Sequence, residues 1–436
     1  MSWLDDFPGT RTVWTAISDL NGQARGKRLP ASKAGKLFNG KAKMPMSALS
    51  LDIFGDDIED SPLVFETGDK DGFLRPTERG AVRMPWLTSH SVLLPMSMEH
   101  GPDRPFQGDS RHALKRVLSG YEARGWTVNA ATELEFFLIH EGDTTPLAER
   151  LRAGGDILGL RSLEAYDSFL GELYRACSAM GIPAETATSE SGSGQFEVTL
   201  THSSAIESAD NTWLFKMLTK GLAQKHKMVA TFMAKPFHDD AGTGMHMHFS
   251  VTDQDGANVF NDGGDLGSEV LRHAVGGCLA TMADATLIFA PHENSYHRLV
   301  PGSHAPTGIC WGYENRTAAI RIPDGPGAAR RIEHRVAGGD INPYLLFAAV
   351  LGGALEGVEN AIEPPTPIDG NAYDADLPQL APNWADAIDL FEASPSMARL
   401  FHPELREQFV RTKRQELRRL NDLDPSERHA LYIDRV

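Results

Sequence analysis

Cysteine and long apolar runs are both scarce in this sequence of 436 residues. The three cysteines, Cys177, Cys278 and Cys310, are widely spaced and form no CxxC pair. This usage predicts no disulfide framework and no zinc–thiolate site, and it favours a reducing compartment. The longest apolar run, PYLLFAAVLGGALEG, is too short to span a bilayer, and the acidic start MSWLDDFPGT lacks the apolar segment of a secretory signal. We therefore expect a cytoplasmic protein.

Positively charged residues are also fewer than negatively charged ones. Lys and Arg number 42 against 59 Asp and Glu, and the formal net charge is −17 at pH 7. A protein this acidic repels nucleic acid and anionic membrane surfaces, so we expect neither as a partner. The sequence also contains no GxxxxGK[ST] phosphate-binding loop. If the protein binds a nucleotide, its phosphates must therefore be held by metal ions and arginines.

The order of strand-like and helix-like patterns predicts an α+β fold in two parts. Residues 1–104 combine short β-like runs with Gly, Asp and Pro turns, and the turn-rich stretch EHGPDRPFQGDS follows them. From residue 105 onward strands and helices interleave. The first helix is predicted over SRHALKRVLSGYEARG, with Asp109 or Ser110 as its N-cap. We predict a small N-terminal domain over residues 1–104 and a large catalytic domain over residues 105–436.

Several predicted strands carry an apolar face and an opposite face with glutamate or histidine, because side chains alternate along a strand. The segments concerned are ATELEFFL with Glu133 and Glu135, GQFEVTL with Glu197, GTGMHMHFSV with His246, His248 and Ser250, and RRIEHRV with Glu333. Glu190 precedes the glycines of ESGSGQ. Taken singly, each segment is typical of a solvated strand face or of a hydrogen-bonded histidine pair.

Taken together, these segments predict a metal site. Carboxylates crowded into one cleft repel one another and take up protons unless a cation neutralises them. Carboxylates with one imidazole suit Mg²⁺ or Mn²⁺, and five glutamates are enough for two ions. Four arginines occur in neighbouring segments and indicate anionic substrates, a carboxylate and a polyphosphate. They are Arg298, Arg316, Arg321 and Arg335.

With these motifs, the sequence resembles the glutamine synthetase superfamily. ATELEFFL, GQFEV, GTGMHMHFS, NSYHRLVPG, NRTAAIRIP and RRIEHR…NPY follow the order of the family's motifs across essentially the whole chain. The segments DLNGQARGKRLP and MPMSALSLDIFG are most similar to the branch that joins glutamate to organic amines, such as the γ-glutamylputrescine synthetases. The resemblance implies a β-grasp N-terminal domain and a catalytic domain with a curved antiparallel sheet flanked by helices. It also implies a homo-oligomer of two stacked hexameric rings with active sites between subunits.

The resemblance further implies a role for each matched position. One metal ion would be bound by Glu135, Glu190 and Glu197, and another by Glu133, His246 and Glu333. ATP would contact Glu185, His248 and Ser250, and the transferred phosphate would face Arg316 and Arg321. The substrate glutamate would be held by Gly242, Arg298 and Arg335. Asp52 and Asp71 match positions of the N-terminal domain that serve the ammonium site in true glutamine synthetases.

Three positions depart from the family's motifs. Ala241 replaces an asparagine that contacts glutamate, and Ala328 replaces a lysine on the nucleotide side. His304 replaces the glutamate that closes over ammonia. A neutral imidazole at this position would accept a proton from an alkylammonium, so His304 is a candidate catalytic residue. We interpret the change as an opened pocket for the carbon chain of an amine, with Trp311 as a lining residue.

The sequence thus predicts an ATP-dependent ligase that joins the γ-carboxylate of L-glutamate to an organic amine, a polyamine or a short alkylamine, through a γ-glutamyl phosphate. The expected cofactor is Mg²⁺ or Mn²⁺, with two or more ions in each active site. The first alternative is a glutamine synthetase proper that uses ammonia. A two-metal hydrolase would also cluster carboxylates but would act without ATP. A non-enzymatic scaffold of the same family would be expected to have lost metal ligands.

Overall fold

The computed structural model describes residues 3–37, 41–101, 104–140, 156–303 and 305–436. Helices and strands are mixed along the chain, and the strands form two sheets, which confirms the predicted α+β class. The candidate residue His304 lies outside the described residues. Across the described ranges, no helix is both long enough and apolar enough to cross a membrane.

The first sheet belongs to the N-terminal part of the chain, and its strand order is β2-β1-β6-β4-β3, with β5 and β7 also paired to β6. β1 pairs antiparallel with β2 and parallel with β6. The strands are β1 Thr12–Ser18, β2 Ala24–Pro30, β3 Lys43–Pro45, β4 Asp71–Pro76, β5 Val82–Arg83, β6 Ser91–Gly101 and β7 Arg104–Pro105. The sheet has its own apolar core, which includes Val13, Leu74 and Met98. The boundary between residues 104 and 105 stays a prediction.

The second sheet carries the predicted site strands in the order β13-β14-β15-β12-β8-β10-β9, with β11 also paired to β8. The strands are β8 Thr127–His140, β9 Ala184–Ser189, β10 Gln195–Ser204, β11 Met228–Thr231, β12 Met245–Thr252, β13 Trp311–Tyr313, β14 Ile320–Ile322 and β15 Ile332–His334. The pairs are antiparallel, as predicted, except that the edge strand β13 runs parallel to β14.

Across the described residues, the helices are α1 Pro62–Phe65, α2 Ser110–Glu122, α3 Leu160–Ala165, α4 Asp167–Met180, α5 Ala205–Lys225, α6 Glu269–Met282, α7 Thr286–Phe289, α8 Ser295–Arg298, α9 Pro343–Glu359, α10 Trp384–Ala393, α11 Pro395–Leu400, α12 Pro403–Asn421 and α13 Pro425–Arg435. α1 belongs to the N-terminal part, where Leu63 joins the core of the first sheet, whereas α5 packs on the apolar face of the second sheet. α2 begins as predicted, because the Asp109 side chain accepts a hydrogen bond from the backbone N–H of Arg111. α3 and α4 are separate helices, since Tyr166 between them leaves helical geometry at ψ 15°.

The alternation of β8 fixes which side chains face the site. Leu134, Phe136 and Leu138 are fully buried, and the Phe136 ring lies 6.2 Å from the ring of Phe215 on α5. Burying each such side chain contributes about 1.5–3 kcal/mol. A slip of one residue in register would expose this apolar row and bury Glu133 and its neighbours instead. The apolar face therefore holds the carboxylates on the opposite side of the sheet.

Candidate active site

The acidic and basic residues of the second sheet form one continuous row across five strands. The register pairs Glu197 of β10 with Glu135 of β8, and it pairs Glu133 of β8 with His246 of β12. On the other side of β12, Glu333 of β15 lies opposite His248 and also opposite Arg321 of β14. Residues directly opposite one another in a ladder share a face, so these side chains converge above the same face of the sheet. The strand-face pattern predicted this convergence.

Above this row lies a cavity of about 700 Å³, which we call the central cavity. It is lined by most of the residues that the sequence singled out, namely Glu133, Glu135, Glu190, Glu197, Gly242, His246, Arg298, Arg316, Arg321, Glu333 and Arg335. A second cavity of about 620 Å³ is lined by Glu185, His248 and Ser250, the predicted nucleotide contacts. Glu133 lines both cavities, so the two meet at this carboxylate.

Glu133, His246 and Glu333 have the geometry of a metal-binding group, with one candidate ligand atom from each and all three atoms within 4.8 Å of one another. His246 Nδ1 lies 2.9 Å from Glu133 Oε2 and 3.8 Å from Glu333 Oε1. Burial would raise the pKa of Glu133, but His246 and His248 hold it well below its usual range. Burial opposes ionisation of Glu333 as well, yet the charges of His246 and Arg335 keep its pKa low. Both carboxylates are therefore ionised and suited to bind a cation.

The pKa values of Glu190 and Glu197 shift in the opposite direction, because both side chains are buried beside other carboxylates. Burial and the neighbouring Glu135 raise the pKa of Glu190 to about 7. Burial, followed by the charges of Glu133, Glu135 and Glu190, raises the pKa of Glu197 well above its usual range. Carboxylates that retain protons in such a cluster release them when a divalent cation binds. Glu135 Oε2 is oriented by the backbone N–H of Gly244 at 2.6 Å and by Gln195 Nε2 at 3.2 Å.

The two glycines of GTGMHMHFSV make room for an arginine. Arg298 is buried, and its Nη1 donates to the carbonyl of Val336 at 2.8 Å. A Cβ atom on Gly242 would lie 2.9 Å from Arg298 Cγ, and one on Gly244 would lie 2.9 Å from Arg298 Nη2. Side chains at these positions would therefore displace the guanidinium. The segment therefore allows the buried guanidinium group of Arg298 to lie beside the carboxylates of the second sheet.

The other arginines surround the same cavity. Glu333 accepts hydrogen bonds from two of them, with Arg321 Nη1 at 2.9 Å from Oε2 and Arg335 bonded to Oε1. Arg321 also bonds to Glu314 at 3.1 Å. Arg316 is exposed at the cavity, where its charge favours ionisation of Glu190. Together with Arg298, these arginines bring four guanidinium groups to the cavity, an arrangement suited to carboxylate and phosphoryl oxygens.

The second cavity lies beside His248. His248 Nε2 is 3.1 Å from Glu133 Oε1, and Arg331 Nε lies 3.4 Å from His248 Nδ1. Arg331 also lines this cavity, as does Ala328, the position where the family's motif has lysine. Arg331 is therefore a cation on the nucleotide side that the sequence analysis did not assign.

Two predicted residues, Asp52 and Asp71, line neither cavity of this chain. Asp71 is exposed at the start of β4. The carboxylate of Asp52 is fully buried and accepts hydrogen bonds from five donors. These donors are the backbone N–H groups of Phe54, Gly55 and Asp56 and the side chains of Gln415 and Arg419. The roles of Asp52 and Asp71 toward a neighbouring subunit stay predictions.

The prediction that Trp311 lines the acceptor pocket is wrong. Trp311 is buried in the core, its indole N–H donates to the carbonyl of Pro365 at 2.6 Å, and it lines neither cavity. The side chain of Trp311 in β13 lies on the packed side of the sheet. A strand of three residues is too short for its sequence to show which side chains face the core. The sequence analysis also missed loop residues of the central cavity, which have no strand periodicity to reveal them. They are Ile157, Leu158, Lys235, Asp239 and Asp240.

Comparisons with known proteins agree with this geometry. A model of the glutamine synthetase catalytic domain matches residues 107–429. Gamma-glutamylputrescine synthetase PuuA of Escherichia coli (strain K12) is 34% identical over 406 residues, which cover 89% of this chain and 84% of that protein. Glutamate–isopropylamine ligase of a Pseudomonas species is 31% identical over 442 residues, with coverage of 97% and 95%. The solved structure of a GmaS/ADP complex in conformation 1 has a TM-score of 0.86 and 28% identity, and the match covers 98% of both chains.

Proposed function

Because the chain belongs to the glutamine synthetase family, we propose that it is an ATP-dependent ligase that joins the γ-carboxylate of L-glutamate to an organic amine. The similarity to ligases for putrescine and isopropylamine supports an amine acceptor, a polyamine or a short alkylamine. The observation that carries the proposal is the facing row of carboxylates and imidazole, which borders one cavity with four guanidinium groups and a second cavity beside His248.

The first half of the proposed reaction activates the carboxylate. An oxygen of the glutamate γ-carboxylate attacks the γ-phosphorus of ATP, the bond to the β-phosphate oxygen breaks, and ADP leaves. Arg298 and Arg335 hold the glutamate, with Gly242 giving its backbone room to approach. Arg316 and Arg321 stabilise the charge on the transferred phosphoryl oxygens. Glu185, His248 and Ser250 hold the nucleotide from the second cavity.

The second half forms the amide. The amine nitrogen attacks the acyl carbon of γ-glutamyl phosphate, the carbon–oxygen bond breaks, and inorganic phosphate leaves. An alkylammonium has a pKa of about 10 and must lose a proton before the amine nitrogen can attack. Glu190, which lines the central cavity, is our candidate base, with His304 as a second candidate. Acyl activation is needed because a free carboxylate resists nucleophiles.

Ligases of this family use ATP and divalent metal ions. The carboxylate oxygens and the single imidazole of the acidic row fit Mg²⁺ or Mn²⁺, and we propose two or more ions in each site. Glu133, His246 and Glu333 would hold one ion, and Glu135, Glu190 and Glu197 would hold another. Bound cations would neutralise charge on the phosphoryl oxygens.

We further propose that the chain assembles into stacked hexameric rings. The active sites would then lie between subunits, with Asp52 and Asp71 contributed by the neighbour's N-terminal domain. In support of this, neither Asp52 nor Asp71 lines the central cavity or the second cavity of its own chain. Measuring the mass of the native assembly by analytical ultracentrifugation tests this point independently of catalysis.

Trapping the intermediate tests the proposed chemistry. With ATP, glutamate and Mg²⁺, hydroxylamine should yield γ-glutamyl hydroxamate, and ADP should accumulate in step with it. Formation of AMP and pyrophosphate instead would show an adenylate mechanism and contradict the roles given to the arginines. Product formation without ATP would favour a hydrolase or transferase.

An amine panel separates the amine ligase from its alternative, a glutamine synthetase proper. We expect kcat/KM for at least one of methylamine, ethylamine, ethanolamine and putrescine to exceed that for ammonium by at least tenfold, because one or two methylene groups in a pocket contribute about 1–3 kcal/mol of selectivity. If ammonium is the best acceptor across the panel, the protein is a glutamine synthetase proper.

A further inference from the structure

Two aliphatic side chains stand out in the otherwise polar lining of the central cavity. Ile157 is 61% exposed and Leu158 is 67% exposed, and both line the cavity. Its other apolar lining residues, Ala241, Gly242 and Ala305, have little or no side chain. Leaving a branched aliphatic side chain exposed forgoes the favourable free energy of its burial. Two neighbouring residues exposed in this way at a cavity indicate an apolar ligand group.

The backbone at this point is also unusual. Leu158 has φ 59°, a left-handed conformation that is strained for a residue with a side chain. Two hydrogen bonds fasten the turn to the end of β9. The N–H of Leu158 donates to the carbonyl of Ser189 at 2.8 Å, and Ser189 Oγ donates to the carbonyl of Asp156 at 3.0 Å. Strained residues held firmly at a cavity are a common feature of binding sites.

These hydrogen bonds place the two side chains next to the reaction centre. Ser189 directly precedes Glu190, which lines the same cavity. Under the proposed function, the acceptor amine enters this cavity. The exposed aliphatic side chains that line the cavity are those of Ile157 and Leu158, so the carbon chain of the amine would contact them.

We propose that Ile157 and Leu158 form an aliphatic shelf that binds the hydrocarbon chain of the acceptor and sets specificity for short-chain aliphatic primary amines. This inference rests on the proposed function. The acceptor amine is then recognised by burial of its methylene groups rather than by a polar contact. Hydroxylamine has no carbon chain and should therefore be insensitive to the shelf.

The test is a homologous series of methylamine, ethylamine, propylamine and butylamine, with hydroxylamine as the acceptor without carbon. In the wild-type protein we expect kcat/KM to rise about fourfold for each methylene that the shelf covers. In the double variant Ile157→Ser, Leu158→Ser this rise should disappear, while the rate with hydroxylamine stays within about twofold of wild type. Because both side chains are already exposed, the variant should fold.

Leu160 provides a matched control. It is 73% exposed in the same segment but does not line the central cavity. Leu160→Ser should keep the wild-type dependence on chain length. If Leu160→Ser acts like the double variant, or if the double variant lowers the rates with all acceptors equally, the residues serve packing between subunits and the shelf is refuted.

The controls also separate this inference from the proposed function. Hydroxamate formation without any dependence on chain length would overturn the shelf alone. Absence of hydroxamate from the wild-type protein would overturn both the proposed function and the shelf.

Discussion

The Nδ1 atom of His246 lies 2.9 Å from Oε2 of Glu133, a residue directly opposite it across the β8–β12 ladder. An antiparallel ladder therefore positions an imidazole and a carboxylate without any loop. Glu333 approaches from the other side, with Oε1 at 3.8 Å from His246 Nδ1. The rigidity of three paired strands explains how charged groups of this density remain in place.

The first prediction concerns this metal-binding group. His246→Asn should lower ligase activity by on the order of a hundredfold or more, because a ligand is lost while the strand is retained. Calorimetric titration with Mn²⁺ should show fewer ions bound to the variant. Wild-type protein treated with EDTA should lose activity and regain it with Mg²⁺ or Mn²⁺.

A second histidine–glutamate pair serves as control. His273 Nε2 lies 3.0 Å from Glu363 Oε1, and neither residue lines the central cavity. His273→Asn should leave Mn²⁺ binding and activity near the wild-type values. Full wild-type activity in excess chelator would contradict the metal assignment.

The second prediction concerns Gly242 and Arg298. Gly242→Ala would place a Cβ atom 2.7 Å from the carbonyl oxygen of Ala234 and 2.9 Å from Arg298 Cγ. Since displacing a substrate-binding group by about 1 Å costs on the order of a hundredfold in rate, we expect kcat/KM for glutamate to fall by about that factor. Steady-state kinetics with varied glutamate measures the effect.

The matched control is Gly35→Ala, because an added Cβ at Gly35 meets no atom within 4 Å. This variant should retain wild-type kinetics. If Gly242→Ala also retains them, the close approach between Gly242 and Arg298 has no bearing on glutamate binding.

The strands of the site could be predicted from sequence because the alternation of apolar residues and the positions of the charged residues between them agree there. In β10 and β12, and in β8 from Glu133 to Phe136, apolar and polar residues alternate, so burial fixes both the strand and the face of Glu133, Glu197 and His246. Arg298 was singled out as one of four arginines near these segments, and its role toward glutamate came from the family motif rather than from periodicity. The alternation alone also led to the convergence of separate strands, which their order in the sheet confirms.

The loop residues of the cavity could not be predicted in this way. Ile157 and Leu158 belong to a turn whose position depends on a hydrogen bond to Ser189, more than thirty residues away in the sequence. Long-range contacts of this kind leave no local pattern. Trp311 shows the opposite error, since an aromatic residue in a site motif is buried in the core instead.

The third prediction concerns Asp52, whose five hydrogen bonds give it a structural role within its own chain. Asp52→Ala would leave the side chains of Gln415 and Arg419 and three backbone N–H groups without this acceptor. We expect a loss of about 3 kcal/mol in the free energy of unfolding, measured by urea denaturation. Asp56 is the control, since its side chain is 64% exposed although it also pairs with Arg419.

Asp56→Ala should cost less than about 1 kcal/mol, as expected for an exposed ion pair. Equal stability of the two variants would show that the buried carboxylate contributes nothing beyond its exposed neighbour. Loss of ligase activity in Asp52→Ala without any loss of stability would instead favour a direct role at the acceptor site.

The fourth prediction concerns the pH dependence of stability through His292. The ring is 1% exposed and lies 5.4 Å from the ring of Tyr432. Burial, followed by the charges of Lys413 and Lys216, lowers the pKa of His292 well below 6.5. The folded protein therefore keeps this ring neutral, while the unfolded chain takes up a proton as the pH falls through about 6.5.

It follows that the stability associated with neutral His292 is present above pH 6.5 and lost as the pH falls. One proton taken up only on unfolding corresponds to about 1.4 kcal/mol per pH unit, or about 2 kcal/mol between pH 7 and pH 5. In His292→Phe, the free energy of unfolding should fall less over this interval, by about that amount. The control His238→Phe changes a side chain that is 98% exposed and should keep the wild-type slope. Denaturant titrations at pH 5, 6 and 7 measure all three slopes, and equal slopes for wild type and His292→Phe would show that the buried ring is protonated in the folded state.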